Sequence, residues 1–197
     1  MIRPMHFSRL AAAALVSLAL VACGSQKQPA QKALADLDAA LSKVEEIGQK
    51  YKPQEYTDVK AEIAGLQSSF DGGDFKAVVA GAPKAAAAVR RLQADAIIAR
   101  ADFAKQMNAE WVEFAKTMPQ TIVSVDRRIE QLSRGRLPKG VTRDAFKQAV
   151  AAFDGAKKAW AEAGDAGNAG KFEDAVMQAR KVKETVDATK QTLGMKG

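Results

Sequence analysis

The 197 residues contain one thiol, Cys23, and one imidazole, His6. Thiolate and imidazole are the side chains most readily used as nucleophile and general base near neutral pH, so their scarcity narrows the chemistry at once. No serine is followed three residues later by lysine, so the Ser-x-x-Lys pattern of an activated hydroxyl is missing. Gly164, Gly167 and Gly170 precede Lys171. A phosphate-cradling loop needs a glycine five residues before the Gly-Lys pair and a hydroxyl after it, and Asp165 and Phe172 stand there instead. A calcium loop fails at the same place. Asp165 and Asn168 lack the one-three-five ligand spacing, and Val176 occupies the position of the closing Glu. The glycine cluster therefore reads as a turn. Asp and Glu are plentiful, but spacings such as Glu46 to Lys50 read as i,i+4 pairs on helix surfaces. No catalytic residue, metal ligand or cofactor is expected, and the chain reads as a non-enzyme.

The densest charge run is Arg127, Arg128, Arg134, Arg136, Lys139, Arg143 and Lys147, set against Asp126, Glu130 and Asp144. Such a run is ordinarily a solvated face. Its available chemistry is the docking of anionic lipid, glycan or an acidic partner. The formal charge of +7 is mild, short of the dense basic profile of a nucleic-acid binder, so no nucleic-acid partner is expected. Trp111 and Trp160 fall on apolar stripes, where core packing is expected. The sharper alternative is an aromatic groove for a partner helix.

Cys23 also ends a second pattern. Arg3 and Arg9 give a basic start with no acid before Cys23, and Leu10 to Ala22 is apolar. That stretch is shorter than the roughly 20 residues of a membrane-spanning helix, and the combination reads as a secretory signal over 1–22. Leu20-Val21-Ala22-Cys23 resembles the lipobox of bacterial lipoproteins, with an aliphatic residue three before the cysteine and a small one just before it. The resemblance implies cleavage between Ala22 and Cys23, a diacylglyceryl group on the Cys23 sulfur, and acylation (palmitate) of the new amino terminus. One acyl chain anchors only marginally, whereas two or more hold durably. Gly24, rather than Asp, follows Cys23. In enterobacteria-like sorting that favours the outer membrane, so a lipoprotein facing the periplasm from the outer membrane is expected. His6, Arg3 and Arg9 leave with the signal, taking the charge from +7 to +5. Stability must then come from packing without disulfides.

The elements that position these residues read as helical throughout. Ser25 to Ala30 is a tether rich in Gln, Lys and Pro, reaching about 20 Å at roughly 3.5 Å per residue. Leu34, Leu37, Leu41, Val44, Ile47 and Tyr51 give a first helix, ended by Pro53. Tyr56, Val59, Ile63, Leu66 and Phe70 give a second. Asp71-Gly72-Gly73-Asp74 is a turn with Asp74 as the next N-cap. A long third helix keeps one face from Phe75 to Met118, kinked at Pro83. Pro119 marks a new start or another kink, and Ile122, Val125, Ile129 and Leu132 give a fourth helix. Gly135 to Gly140 is a loop, and Thr142 an N-cap with Val141 and Phe146 as its hydrophobic staple. Phe146, Val150, Phe153 and Trp160 give a fifth helix, and Phe172 to Leu193 a sixth.

The expected fold is all-α: antiparallel helical hairpins or a bundle with one long helix and an internal duplication. Gly73-Asp74-Phe75 matches Gly170-Lys171-Phe172, and Val79, Ala82 and Val89 pair with Val176, Ala179 and Val186. The organisation reads as a signal peptide over 1–22, a lipidated tether over 23–30, a first helical repeat over 31–118, and a second repeat over 119–197 packed on the first.

Lys52-Pro53-Gln54-Glu55-Tyr56, the Gly73-Asp74-Phe75 turn and the Ala-rich Arg90–Arg100 helix resemble an all-helical domain of unknown function found in small bacterial envelope lipoproteins. The turn is also similar to that of tetratricopeptide-like hairpins. The resemblance implies a helical fold and an envelope location. That family has no settled activity. The expected role is a membrane-anchored, non-catalytic interaction or structural module. Its partners are the membrane, through the lipid, and an envelope protein, with no small-molecule substrate. The alternative is binding of an anionic envelope polymer or lipid, such as peptidoglycan or lipopolysaccharide, through the basic loop at 127–147.

Overall fold

A computed structural model describes residues 26–195, so Ala22, Cys23 and the signal lie outside the described residues. Every regular element among the described residues is an α-helix: α1 (Lys27–Tyr51), α2 (Pro53–Asp71), α3 (Phe75–Arg134), α4 (Arg143–Asn168) and α5 (Phe172–Thr192). The chain is all-α. Its packing divides into two units, one ending at Arg100 and one beginning at Ala101, so α3 contributes to both. No helix among the described residues is long and apolar enough to cross a membrane.

In the first unit the three-and-four spacing of apolar residues becomes a single core. Leu37, Leu41 and Val44 of α1 meet Tyr56, Val59 and Ile63 of α2, and Ala82, Ala85, Val89 and Leu92 of α3. Each large aliphatic side chain so buried contributes about 1.5–3 kcal/mol. Lys52 alone separates α1 from α2. Pro53 occupies the first position of α2, where its missing N–H costs no hydrogen bond. The Tyr56 hydroxyl donates to Glu45 Oε1 at 3.0 Å and ties the two helices together. The tether is shorter than its composition suggests. Helix α1 already starts at Lys27, and Ala30 is fully buried beside Leu34 and Val78. Pro29 falls in the first turn of α1, where N–H groups have no partner within the helix.

In the second unit Met118, Val125 and Leu132 of α3 pack with Phe153 and Ala156 of α4, and with Val182 and Val186 of α5 and Leu193 just beyond it. Two expectations are corrected here. Pro119 does not start a new helix, because α3 runs unbroken from Phe75 to Arg134, through both Pro83 and Pro119. A proline inside a helix frees the carbonyl four residues earlier, here Val79 and Ala115. Both prolines and both of those residues are exposed, so solvent satisfies what the helix cannot. Burial of Met118 and Val125 on either side of Pro119 keeps the stripe in phase. The glycine cluster is the second correction. Gly164 and Gly167 lie inside α4, and only Gly170, with φ of +73°, belongs to the turn. A Cβ on Gly164 would meet nothing within 4 Å, whereas Gly167 lies against an indole.

The α2–α3 and α4–α5 turns share one geometry. Gly73 donates to the Phe70 carbonyl and Asp74 to that of Ser69; Gly170 donates to Gly167 and Lys171 to Ala166, all at 2.9–3.0 Å. Both are Schellman turns, with the glycines at φ of +82° and +73°. The stripe buried after the first turn is Val78, Ala82, Ala85, Val89, Leu92 and Ala96. After the second it is Ala175, Ala179, Val182, Val186, Thr189 and Leu193, displaced by 97 residues throughout. Of the expected pairs, Val79 and Val176 differ: Val79 is exposed and Val176 is buried.

Candidate functional site: the basic loop

The loop between α3 and α4 is built by short-range geometry. Val141 donates to the Pro138 carbonyl at 3.1 Å, and Gly140 sits at φ of +86°. That is a type II turn, whose third residue must be left-handed, and it puts Lys139 at the tip. Thr142 caps α4 as its position suggests: its hydroxyl oxygen accepts from the Ala145 N–H at 3.1 Å. The loop is pinned from behind. A Cβ on Gly194 would stand 3.4 Å from Pro138, and Leu137 and Met195 pack against the same core cluster.

The seven cations marked in the sequence have three different fates. Arg128 is half-buried, and its Nε donates to the Leu193 carbonyl at 3.2 Å, holding the C-terminal turn of α5 onto α3. Arg134 pairs with Glu130 at 2.6 Å, both exposed. Arg127, Arg136, Lys139, Arg143 and Lys147 are exposed. Among the described residues none of those five is paired with an acid. Asp126, which sequence sets against the cluster, is engaged elsewhere. Lys157 bonds it at 2.9 Å and Asp154 at 3.0 Å, and these bonds hold the lysine pKa above its ordinary 10.5. Asp126 thus shares Lys157 with Asp154, while Asp144 stays exposed in the first turn of α4 beside the loop. An open array of this kind can hold a polyanion through charge, with affinity that falls as salt rises.

Trp111 and Trp160 stack on each other with ring centroids 5.4 Å apart at 32°. Both are half-buried, and Trp160 packs on the core of the second unit. Facing pairs invisible to sequence also appear. Arg180 grips Glu110 with two bonds, Nε to Oε1 at 2.7 Å and Nη2 to Oε2 at 2.6 Å, across 70 residues of chain. In the first unit Ala33, Leu37 and Ala40 of α1 and Val79, Pro83 and Ala86 of α3 line an open apolar groove of about 300 Å³. Among the described residues no group of three or more His, Cys, Asp or Glu side chains could hold a metal ion.

No family model, curated protein or solved structure matches this chain.

Proposed function

We propose that this chain is a lipid-anchored protein of the bacterial envelope, facing the periplasm from the outer membrane, and that it serves as a non-catalytic interaction or structural module. The observation that carries this is Cys23 at the end of Leu20-Val21-Ala22-Cys23, behind a basic start and a short apolar stretch. Helix α1 begins four residues later at Lys27, so packed structure starts within about 15 Å of the anchor. A domain held so close lies within reach of other envelope components. The resemblance to an envelope-lipoprotein domain supports the same reading. An internal duplication belongs to it too, supported by the matched Schellman turns and the common phase of the buried stripes.

The test is co-purification from detergent-solubilised envelope. A reproducible envelope partner is expected with the wild-type chain, and reduced recovery with Cys23→Ser, which leaves the chain unanchored. No reproducible partner, together with no envelope defect on deletion, would sink the idea.

A second reading, binding of anionic polymer or lipid such as peptidoglycan or lipopolysaccharide, is favoured by the five free cations around the pinned loop. Reversing Arg136, Lys139 and Arg143 to Glu should abolish salt-sensitive sedimentation with peptidoglycan or anionic vesicles. Unchanged sedimentation would remove this reading.

A further inference from the structure

Within the first unit, α3 stands out for the charge it lacks. From Phe75 to Ala94 it carries no carboxylate. Apart from Gln93, its exposed side chains over that stretch are of two kinds. Val79, Ala80, Pro83, Ala87 and Ala94 are apolar, and Lys76, Lys84, Arg90 and Arg91 are cations. A surface that faces only water ordinarily mixes both signs, as exposed Asp58 and Lys60 do on α2.

The apolar residues have a place in the fold. Val79, Pro83 and Ala86 form one wall of the open groove whose other wall is Ala33, Leu37 and Ala40 of α1. Positions three and four apart share a helix face. Lys76, three before Val79, therefore stands at one end of the α3 wall, and Arg90, four after Ala86, at the other. Lys43 extends the α1 wall three residues beyond Ala40. Lys84 and Arg91 pair with Glu62 and Asp95, whereas Lys43, Lys76 and Arg90 are paired with no acid among the described residues. The one acid that lines the groove, Asp36, is bonded by Lys32 at 2.8 Å. The face is thus apolar in the middle and cationic at its ends, the arrangement that settles into the interface of an anionic bilayer.

Position supplies a second argument. Ala33 lies six residues into α1, about 9 Å from its start. Cys23 precedes α1 by four residues, about 14 Å at full extension. A short tether holds a weak binding surface at an effective concentration on the order of millimolar. Affinity too weak to hold a free chain is then enough to orient an anchored one.

We infer that the first unit lies on the membrane through this face, with the α1–α3 groove against the acyl boundary and Lys43, Lys76 and Arg90 on anionic headgroups. The inference rests on the Cys23 anchor.

The test uses the full mature chain, lipidated at Cys23, in vesicles of phosphatidylethanolamine and phosphatidylglycerol. With the Cys23 sulfur carrying lipid, a cysteine introduced elsewhere is the one free thiol and takes a fluorophore. Val79→Cys and Ala87→Cys report the face, and Ala61→Cys on α2 is the control; all three positions are exposed, and circular dichroism checks the helices. Lipids carrying a quencher at the acyl boundary should quench the label at 79 and 87 several-fold more than at 61. Lys76→Glu with Arg90→Glu should bring position 79 down to the level of 61 while the chain stays in the membrane. Equal quenching at all three positions, or quenching at 79 that survives the charge reversal, would overturn the proposal. So would a label at 79 shielded from an aqueous quencher in native envelope but not in vesicles, which would assign the face to a protein. Fluorophore taken up by the unsubstituted chain would report a bare Cys23 thiol. The anchor reading then fails and takes the proposal with it, whereas a blocked Cys23 with equal quenching removes the face alone.

Discussion

Gly167 lies directly against Trp111: a Cβ on the glycine would stand 2.3 Å from Cε2 of the indole and 2.5 Å from Cζ2 and Nε1. The contact fixes the sign of a substitution that helix propensity alone gets wrong. Within a helix, Gly→Ala is ordinarily favourable by up to about 1 kcal/mol. At Gly167 the ring must move, and it is already stacked on Trp160. Gly167→Ala should destabilise the chain by about 1–3 kcal/mol, as overpacking does. Gly164→Ala and Gly155→Ala, with nothing within 4 Å of the new methyl, should be neutral or stabilising. Urea melts of the three variants check the contrast.

Arg127 and Arg128 should separate just as cleanly. Arg128→Ala removes the donor to the Leu193 carbonyl, and a hydrogen bond to a charged group contributes about 1.5–3 kcal/mol. Arg127→Ala removes an exposed charge and should change stability by less than about 0.5 kcal/mol. Thermal melts of the two variants measure this directly, and equal effects would remove Arg128 from its structural role.

The prolines of α3 make an opposite prediction. Pro119→Ala restores an N–H to the Ala115 carbonyl at an exposed position in an unbroken helix. It should stabilise the chain, with about 3 kcal/mol as the ceiling set by helix propensity. Pro83→Ala should act in the same direction. A loss of stability in either variant would show that the helix depends on its proline.

Glu110 gives a pH signature. The bonds from Arg180 hold its carboxyl below the ordinary 4.5. A carboxylate with a depressed folded pKa stabilises fully above its unfolded value, and that contribution is lost as pH falls through the folded value. Glu110→Gln should therefore be less stable than wild type at pH 7, and the gap should close as the solution is acidified below about pH 4.5. Denaturant melts at several pH values report it. A gap that stays constant would mean the charge of Glu110 is immaterial.

Legibility in the sequence followed the range of the interaction involved. Tyr56, Val59 and Ile63 declare their buried face by spacing alone, and the caps at Asp74 and Thr142 act within three residues, so both were readable. Pro119 misled because local propensity argues for a break, while the burial of Met118 and Val125 that overrides it is tertiary. Ala30 looked like tether because its partner, Val78, is 48 residues away. At the basic loop, composition located the cluster, but Arg127 and Arg128 are neighbours whose fates differ by the roughly 100° between successive helix positions. Nothing local marks which one reaches Leu193, and nothing local pairs Glu110 with Arg180.

The central claim is anchoring through Cys23, and N-terminal mass spectrometry of the chain recovered from membranes of a Gram-negative host tests it most directly. The expected result is a mature polypeptide beginning at Cys23 and carrying the mass of a diacylglyceryl group plus an amide-linked acyl chain. The Cys23→Ser variant should retain residues 1–22 or be cut elsewhere. A wild-type chain with an unmodified Cys23, or one whose first residue lies beyond it, would contradict the account.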